Sequence, residues 1–178
     1  MKKYLIISPI TFITVILTIL ILFPKQIVDD SYILFRYAEN FKNGNGLVWN
    51  VGEYTESYTG ILLILFYIIS PLSYIITAYI IGVVSFLLGG YIIYLIAKES
   101  PVKWLLLVCY SISPAIYVHV FSGLETCLFM TLSLAAIYSW RENKEHWLLL
   151  VTILLFLCRP EGIIYAILLS IKNKGNKE

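Results

Sequence analysis

Two adjacent aspartates, Asp29 and Asp30, are the first residues in the sequence whose type and position suggest chemistry. They follow an uncharged, apolar run over residues 4–23. Neighbouring carboxylates repel each other, so they need a cation, an arginine or substrate hydroxyls nearby. An ionised carboxylate at the edge of a bilayer suits a general base that takes a proton from an acceptor hydroxyl. The alternative for Asp30 is that it caps the helix that follows.

Three residues of the next polar stretch are candidates for binding. Arg36 lies on the polar face of an amphipathic helix expected over residues 31–43. There its guanidinium would hold a phosphate bidentately or pair with Glu39. Glu56 and Tyr58 lie in a tyrosine-rich, strand-like stretch. Such residues are common in sugar-binding clefts, although tyrosine is also frequent at membrane interfaces.

Three more charged residues interrupt otherwise apolar sequence. Glu125 stands between two apolar runs, where an ionisable group is costly and usually functional. The alternative is that Glu125 caps the helix after it. Arg159 and Glu161 lie on either side of a proline, and they either pair with each other or line a cavity where Arg159 meets a lipid phosphate. The sequence contains no zinc-ligand spacing, glycine-rich phosphate loop or nucleophile elbow.

The composition indicates the elements that must position these residues. The chain has 178 residues, of which 60% are apolar and 13% charged, and its mean hydropathy is +0.84. Soluble domains carry roughly 45–50% apolar and about 25% charged residues. This excludes an ordinary soluble enzyme, a disordered chain and a nucleic-acid binder. It predicts an all-α, multi-pass transmembrane helical bundle. About six spans are expected, over residues 4–23, 74–97, 103–121, 126–140, 146–158 and 162–171.

The distribution of lysine and arginine predicts the sidedness. An outer loop over residues 24–73 would carry two surface helices, at 31–43 and 57–70. If 57–70 lies on the outer surface instead of spanning, most basic residues fall on the cytoplasmic side. Residues 1–171 then form one membrane domain of the cytoplasmic membrane, with a cytoplasmic N-terminus, and 172–178 a cytoplasmic tail. The last two apolar runs form either a tight hairpin or a single broken span.

Five short stretches together carry a resemblance. They are Asp-Asp-Ser-Tyr-Ile at 29–33, Gly-Asn-Gly-Leu-Val-Trp-Asn at 44–50, Glu-Ser-Tyr-Thr at 56–59, Ser-Gly-Leu-Glu-Thr at 122–126 and Arg-Pro-Glu-Gly at 159–162. In this combination the chain resembles the GT-C superfamily, integral-membrane glycosyltransferases that use polyprenyl-phosphate sugars. It is most similar to arabinofuranosyltransferase-like and mannosyltransferase-like members.

The resemblance implies a reaction and roles for residues. Asp29 matches the catalytic base and Asp30 its acidic neighbour, Glu125 matches a polar position facing the same cavity, and Arg159 a basic position near the lipid phosphate. The reaction is inverting transfer from a polyprenyl-phosphate sugar to a glycan, lipid or protein acceptor of the cell envelope. Some members use a divalent cation, which Asp29 and Asp30 would hold here. The expected substrate-binding residues are Arg36, Glu56, Tyr58, Glu125, Arg159 and Glu161.

Length adds one expectation and leaves two alternatives open. GT-C enzymes are usually several times longer, so we expect a truncated enzyme or a second chain that supplies the missing spans. The first alternative is a non-catalytic membrane subunit that binds polyprenyl phosphate or assists a partner glycosyltransferase. The second is a small transporter or lipid flippase. A transporter is disfavoured because the ionisable residues gather at one face instead of at the midplane of several spans.

Overall fold

The computed structural model describes residues 25–173, with side chains as far as residue 168. This part of the chain is all-α, as expected, with eight helices and no strand. In chain order they are α1 (Asp29–Lys42), α2 (Ile61–Ile69), α3 (Tyr74–Ile96), α4 (Lys103–Ile112), α5 (Pro114–Val120), α6 (Thr126–Arg141), α7 (Glu145–Cys158) and α8 (Gly162–Asn173). The predicted span over 4–23 and most of the predicted tail lie outside the described residues.

Helix α1 begins two residues earlier than expected. Asp29 and Asp30 form its first turn, where the helix dipole favours negative charge, and Val28 occupies the N-cap position. The alternative in which Asp30 caps this helix is therefore wrong. The helix ends at Lys42 with Asn43 as its C-cap, and Gly44 then adopts a φ of +80°, a left-handed conformation that glycine enters at little cost.

A polar residue near the end of α1 is buried. Asn40 lies in the interior, and its Nδ2 donates to the carbonyl oxygens of Val48 at 2.7 Å and Trp49 at 3.0 Å. The next residue, Phe41, is 46% exposed. The cause is the loop after the helix, which folds back over α1 and covers Asn40. A buried amide in this position needs such partners, and the loop carbonyls provide them.

Helix α2 is shorter than the surface helix expected over residues 57–70. Residues 51–60 form turns and extended backbone, without the strand that their sequence suggested. The helix ends at Ile69 because Ser70 precedes Pro71, and a residue before proline avoids helical dihedrals. Nine residues make a helix of about 13 Å, less than half the thickness of a bilayer core.

By length and composition, only α3 in the described part is suited to cross a bilayer alone. Its 23 residues reach about 35 Å. The expected span over 103–121 is not one straight helix: it is divided into α4 and α5, which meet at 58°. The break falls at Ser113 because the next residue, Pro114, lacks an N–H and begins the new helix at its N1 position. Counted as one bent pair, α4 and α5 would make a second candidate.

The helices pack through small residues and short turns. Gly82 of α3 packs on the backbone of Val120 at the end of α5, and Thr131 Oγ1 of α6 donates to the Ser85 carbonyl of α3 at 2.7 Å. Close approach of two helices through small residues is typical of membrane proteins. A three-residue turn joins α7 to α8, and Gly162 in α8 packs directly on the backbone of Leu155 in α7. Helix α2 contacts both α1 and α7.

Candidate functional site

The structure joins two predicted site residues directly. Glu125 is buried at 7% exposure, and its Oε1 accepts a hydrogen bond from Arg159 Nε at 2.9 Å. This is the one ion pair between the described residues. The Arg159 side chain is 36% exposed and the Glu125 side chain 9%, so the pair lies at the boundary of the protein interior. A buried carboxylate needs such a partner, because an unpaired charge is costly to bury.

Local sequence explains the position of Arg159. Helix α7 ends at Cys158, and Arg159 is extended, with φ −152° and ψ 141°, as expected for a residue before proline. This conformation turns the side chain out of the helix and toward the start of α6. The guanidinium also lies over the ring of Phe129, 5.9 Å from its centroid. Arg159 forms no ion pair with Glu161, which is exposed in the turn before α8.

A tight turn leaves the Glu125 carboxylate free to meet Arg159. Gly123 has a φ of +81°, and Glu125 occupies the N-cap position of α6 without using its side chain as a cap. The capping alternative for Glu125 is therefore wrong. A second polar group reaches the same oxygen, since Thr59 Oγ1 lies 3.5 Å from Glu125 Oε1. Thr59 is placed there because Gly60, beside it, packs on the carbonyl of Cys158 with no room for a Cβ.

The turn before Glu125 also holds the start of α1. The carbonyl oxygen of Ser122 accepts from the Val28 backbone N–H at 3.0 Å and from Ser31 Oγ at 2.6 Å. Asp29 and Asp30 lie between these two anchored residues, and both are exposed. The aspartate pair and the Glu125 turn are thus neighbouring parts of one surface, although more than 90 residues separate them in sequence. We call Asp29, Asp30, Thr59, Glu125 and Arg159 the Glu125 site.

Tyr67 supports this site from beneath. Its hydroxyl donates to the carbonyl of Gly123 at 2.8 Å, and its ring lies edge-on to Phe35 of α1. Burial, followed by the negative charge of Glu125, raises the pKa of Tyr67 above its usual range. The phenol therefore stays protonated and remains a donor across the physiological range. It joins α1, α2 and the Glu125 turn into one unit.

The stretch that contains Glu56 and Tyr58 is fixed by a buried tyrosine. Tyr37 donates its hydroxyl proton to the carbonyl of Thr55 and accepts from the Ser57 N–H at 3.0 Å. The ring of Tyr58 meets Tyr37 edge-on, with 4.9 Å between centroids. Partial burial, then the nearby charge of Glu56, raise the pKa of Tyr58. Glu56 itself is exposed.

Arg36 and Glu161 do not join the Glu125 site. Arg36 is exposed on α1, seven residues or about 10 Å along the helix from Asp29. Its Nε donates to the carbonyl of Trp49 at 3.3 Å, and within the described part it forms no ion pair with Glu39. No group of three or more metal-ligating side chains occurs among the described residues, Asp29 and Asp30 included.

Sequence reasoning missed four residues that assemble the site: Ser31, Thr59, Tyr67 and Ser122. Two signals were present. A tyrosine in a strongly apolar helix needs a partner for its hydroxyl, which applies to Tyr67. A serine in the first turn of a helix, such as Ser31, commonly bonds to nearby backbone. Neither signal identifies the partner, because in both cases the accepting carbonyl lies more than 50 residues away.

No protein-family model matches this chain, no curated protein matches its sequence, and no solved structure matches its fold.

Proposed function

We propose that this chain is a membrane glycosyltransferase of the GT-C type, acting alone or as part of a longer or two-chain enzyme. It would transfer a sugar from a polyprenyl-phosphate donor to an acceptor hydroxyl outside the cytoplasm. One observation carries the proposal: the exposed aspartates of α1 lie between Val28 and Ser31, which both donate to the Ser122 carbonyl in the turn before Glu125. Glu125 is in turn paired with Arg159. A base for the acceptor and a cation for the phosphate thus belong to one surface.

The proposed architecture is a bundle of about six spans in the cytoplasmic membrane, with the Glu125 site at the outer face. Helix α3 has the length for a span, and α4 and α5 form a bent second one. The exposed surfaces of α3, α7 and α8 carry many large apolar side chains, as lipid-facing helices do. The short helix α2, with its mixed exposure, fits a position along the surface better than a span.

The proposed mechanism assigns one step to each charged group. The Asp29 carboxylate takes the proton of the acceptor hydroxyl, and the freed oxygen attacks the anomeric carbon of the donor. The bond between that carbon and the phosphate oxygen breaks, and polyprenyl phosphate leaves with the electron pair. Arg159 holds the phosphate with the guanidinium nitrogens that Glu125 does not engage. A divalent cation, where the reaction uses one, would be held by Asp29 and Asp30.

The decisive experiment is an Asp29→Asn substitution in cells that lack the native chain. Membranes of the complemented strain are assayed for transfer from polyprenyl-phosphate mannose and arabinose to their own acceptors. We expect transfer to fall by about 10²–10⁴-fold at unchanged protein level, the range for loss of a general base. The matched control is Glu142→Gln, which removes one exposed carboxylate at the far end of α6 and should leave transfer intact.

The same experiment separates the proposed enzyme from a non-catalytic subunit. If deletion of the chain abolishes transfer and Asp29→Asn restores it fully, the base assignment is wrong and the chain assists another enzyme. The ion pair suits that alternative too, since Glu125 and Arg159 satisfy each other without a ligand. If deletion changes no sugar transfer at all, both proposals fail.

A further inference from the structure

An open groove of about 650 Å³ runs along α1 away from Asp29. It lies between α1, the loop at residues 49–50 and the first turn of α3. Sites for small ligands commonly measure roughly 300–1,000 Å³, so the groove has the size of a binding site. Its lining combines aromatic rings and charged groups, and of these only Arg36 was a candidate on sequence grounds. We call it the Trp49 groove, after the tryptophan in its wall.

Four aromatic side chains line the Trp49 groove, among them Phe35, which is buried. Tyr32 is 51% exposed, and Trp49 and Tyr74 are partly buried. Packing fixes the latter two: Tyr74 stacks on Phe35 with 5.4 Å between centroids, and Trp49 lies beside Tyr37 at 6.3 Å. Fixed aromatic faces offer an apolar contact at little entropic cost. The apolar face of a sugar ring is complementary to such a surface.

Polar groups with planar hydrogen-bonding edges complete the lining. Arg36 uses Nε for the Trp49 carbonyl and keeps its two terminal nitrogens for a ligand. Asn50 donates to Glu53 at 3.0 Å and keeps its carbonyl oxygen as an acceptor. Glu39 adds a carboxylate. Donors and acceptors together suit hydroxyl groups, and within the lining the charges of Arg36 and Glu39 balance. Beside the lining, the Lys42 ammonium over the Tyr74 ring, 5.0 Å from its centroid, balances the Glu53 carboxylate, which favours a neutral ligand over an acidic one.

We infer that the Trp49 groove binds a neutral oligosaccharide, the part of the acceptor adjacent to its reacting hydroxyl. The inference rests on the proposed function for the role of that glycan. Its placement follows from α1, because Tyr32 lies about one turn beyond Asp29 and Arg36 about two turns. A glycan held by these residues extends along the helix toward the carboxylate. The groove thus sets which acceptor reaches the base.

The test measures binding by the purified full chain in detergent, with no transfer reaction. Ligand-observed NMR follows neutral trisaccharides of glucose, mannose and arabinose, with trigalacturonic acid as a charged comparison. Tyr32→Ala should weaken binding of the preferred neutral trisaccharide about five- to tenfold, since it removes one aromatic contact. Tyr54→Ala is the matched control, because Tyr54 is 90% exposed and does not line the groove. It should leave binding unchanged.

A second variant tests the charge argument without removing bulk. Glu39→Gln leaves Arg36 unbalanced, so the preference should move toward trigalacturonic acid by about threefold or more, whereas Glu142→Gln should not alter it. The inference is overturned if the wild-type chain shows no saturable binding to any of the neutral trisaccharides at concentrations up to about 10 mM. Equal binding by Tyr32→Ala and Tyr54→Ala also overturns it.

The binding data and the transfer assay fail independently. Transfer by wild type without neutral trisaccharide binding leaves the glycosyltransferase proposal standing and removes the groove assignment. The opposite result is that Tyr32→Ala weakens trisaccharide binding but deletion of the chain alters no sugar transfer. In that case the groove is a saccharide site and the proposed function is wrong. Asp29→Asn should retain trisaccharide binding, because its carboxylate lies outside the groove lining.

Discussion

The two ends of the helical bundle hold their charged residues in different ways. At one end, where α6 begins and α7 ends, Glu125 is buried and paired with Arg159. At the other, where α3 and α6 end, the basic residues are mostly exposed. Arg141 donates to the carbonyl of Ile96 at 2.6 Å, and Lys144 lies over the ring of Tyr138 at 5.0 Å. We call these the Glu125 end and the Arg141 end.

The difference separates residues that hold the fold together from residues that complete its surface. Basic side chains at the Arg141 end bond to the last carbonyls of helices and cover aromatic rings, contacts that water can largely replace. Contacts at the Glu125 end join segments that are 34 to 91 residues apart and are buried or partly buried. Changes at the Glu125 end should therefore cost much more stability than matched changes at the Arg141 end.

The largest effect should come from Gly60→Ala. Gly60 has φ −141° and ψ 135°, which any residue can adopt, so the cost is steric alone. An added Cβ would overlap the carbonyl of Cys158, which is backbone and cannot rotate away. We expect a loss of about 3 kcal/mol or more in the free energy of unfolding. Far-UV circular dichroism during denaturant unfolding in detergent measures it.

Gly90→Ala is the matched control for that experiment. Gly90 lies inside α3, where the nearest atom to an added Cβ is Tyr110 Cε1 at 3.4 Å, an ordinary contact. Because alanine is a better helix former than glycine, this variant should be neutral or more stable by about 0.5–1 kcal/mol. Equal stability of Gly60→Ala and Gly90→Ala would contradict the contact between the loop and α7.

The next effect compares one arginine at each end. Arg159→Met leaves the Glu125 carboxylate buried without its partner. The side chain of Arg159 is about one-third exposed, which reduces the usual cost of leaving a buried charge without its partner. We therefore expect the free energy of unfolding to fall by about 2–3 kcal/mol. Arg141→Met removes an exposed side chain and should cost less than about 0.5 kcal/mol. The same unfolding measurement compares both.

A double variant identifies the cause of the Arg159 effect. Glu125→Gln together with Arg159→Met removes both charges, so much of the lost stability should return. Additive losses in the double variant would show that Arg159 acts through packing on Phe129 and not through the carboxylate. Similar costs for Arg159→Met and Arg141→Met would remove the distinction between the two ends.

Sequence patterns predict helices where a breaker or a charge marks both limits. The runs expected at 74–97, 126–140 and 146–158 differ from α3, α6 and α7 by one residue at an end. The bend inside 103–121 has a signal in the sequence, because Pro114 cannot continue the ladder of the preceding helix. Hydrophobic periodicity alone does not reveal such a break when the segments on either side of it are equally apolar.

The site was less predictable than the helices. Glu125 and Arg159 each stand out as charges in apolar sequence, but nothing local shows that they pair with each other instead of with a nearer residue. Arg159 has Glu161 two residues away and bonds to Glu125, 34 residues away. The extended conformation before Pro160 turns Arg159 out of α7, and the packing of α6 against α7 brings Glu125 within its reach. Partners this far apart in sequence can be identified only when the fold is known.

The smallest effect tests a neutral hydrogen bond at the Glu125 end. Tyr67→Phe keeps the ring and its packing but leaves the Gly123 carbonyl without its donor, at a cost of about 1 kcal/mol. Tyr91→Phe, at a residue 58% exposed toward the Arg141 end of α3, should change the free energy of unfolding by less than about 0.5 kcal/mol. If the Tyr67 hydroxyl contributes nothing beyond the packing of its ring, the two variants should have the same unfolding midpoint. A lower midpoint for Tyr67→Phe alone would show that neutral contacts, as well as charged ones, hold the Glu125 turn against α2.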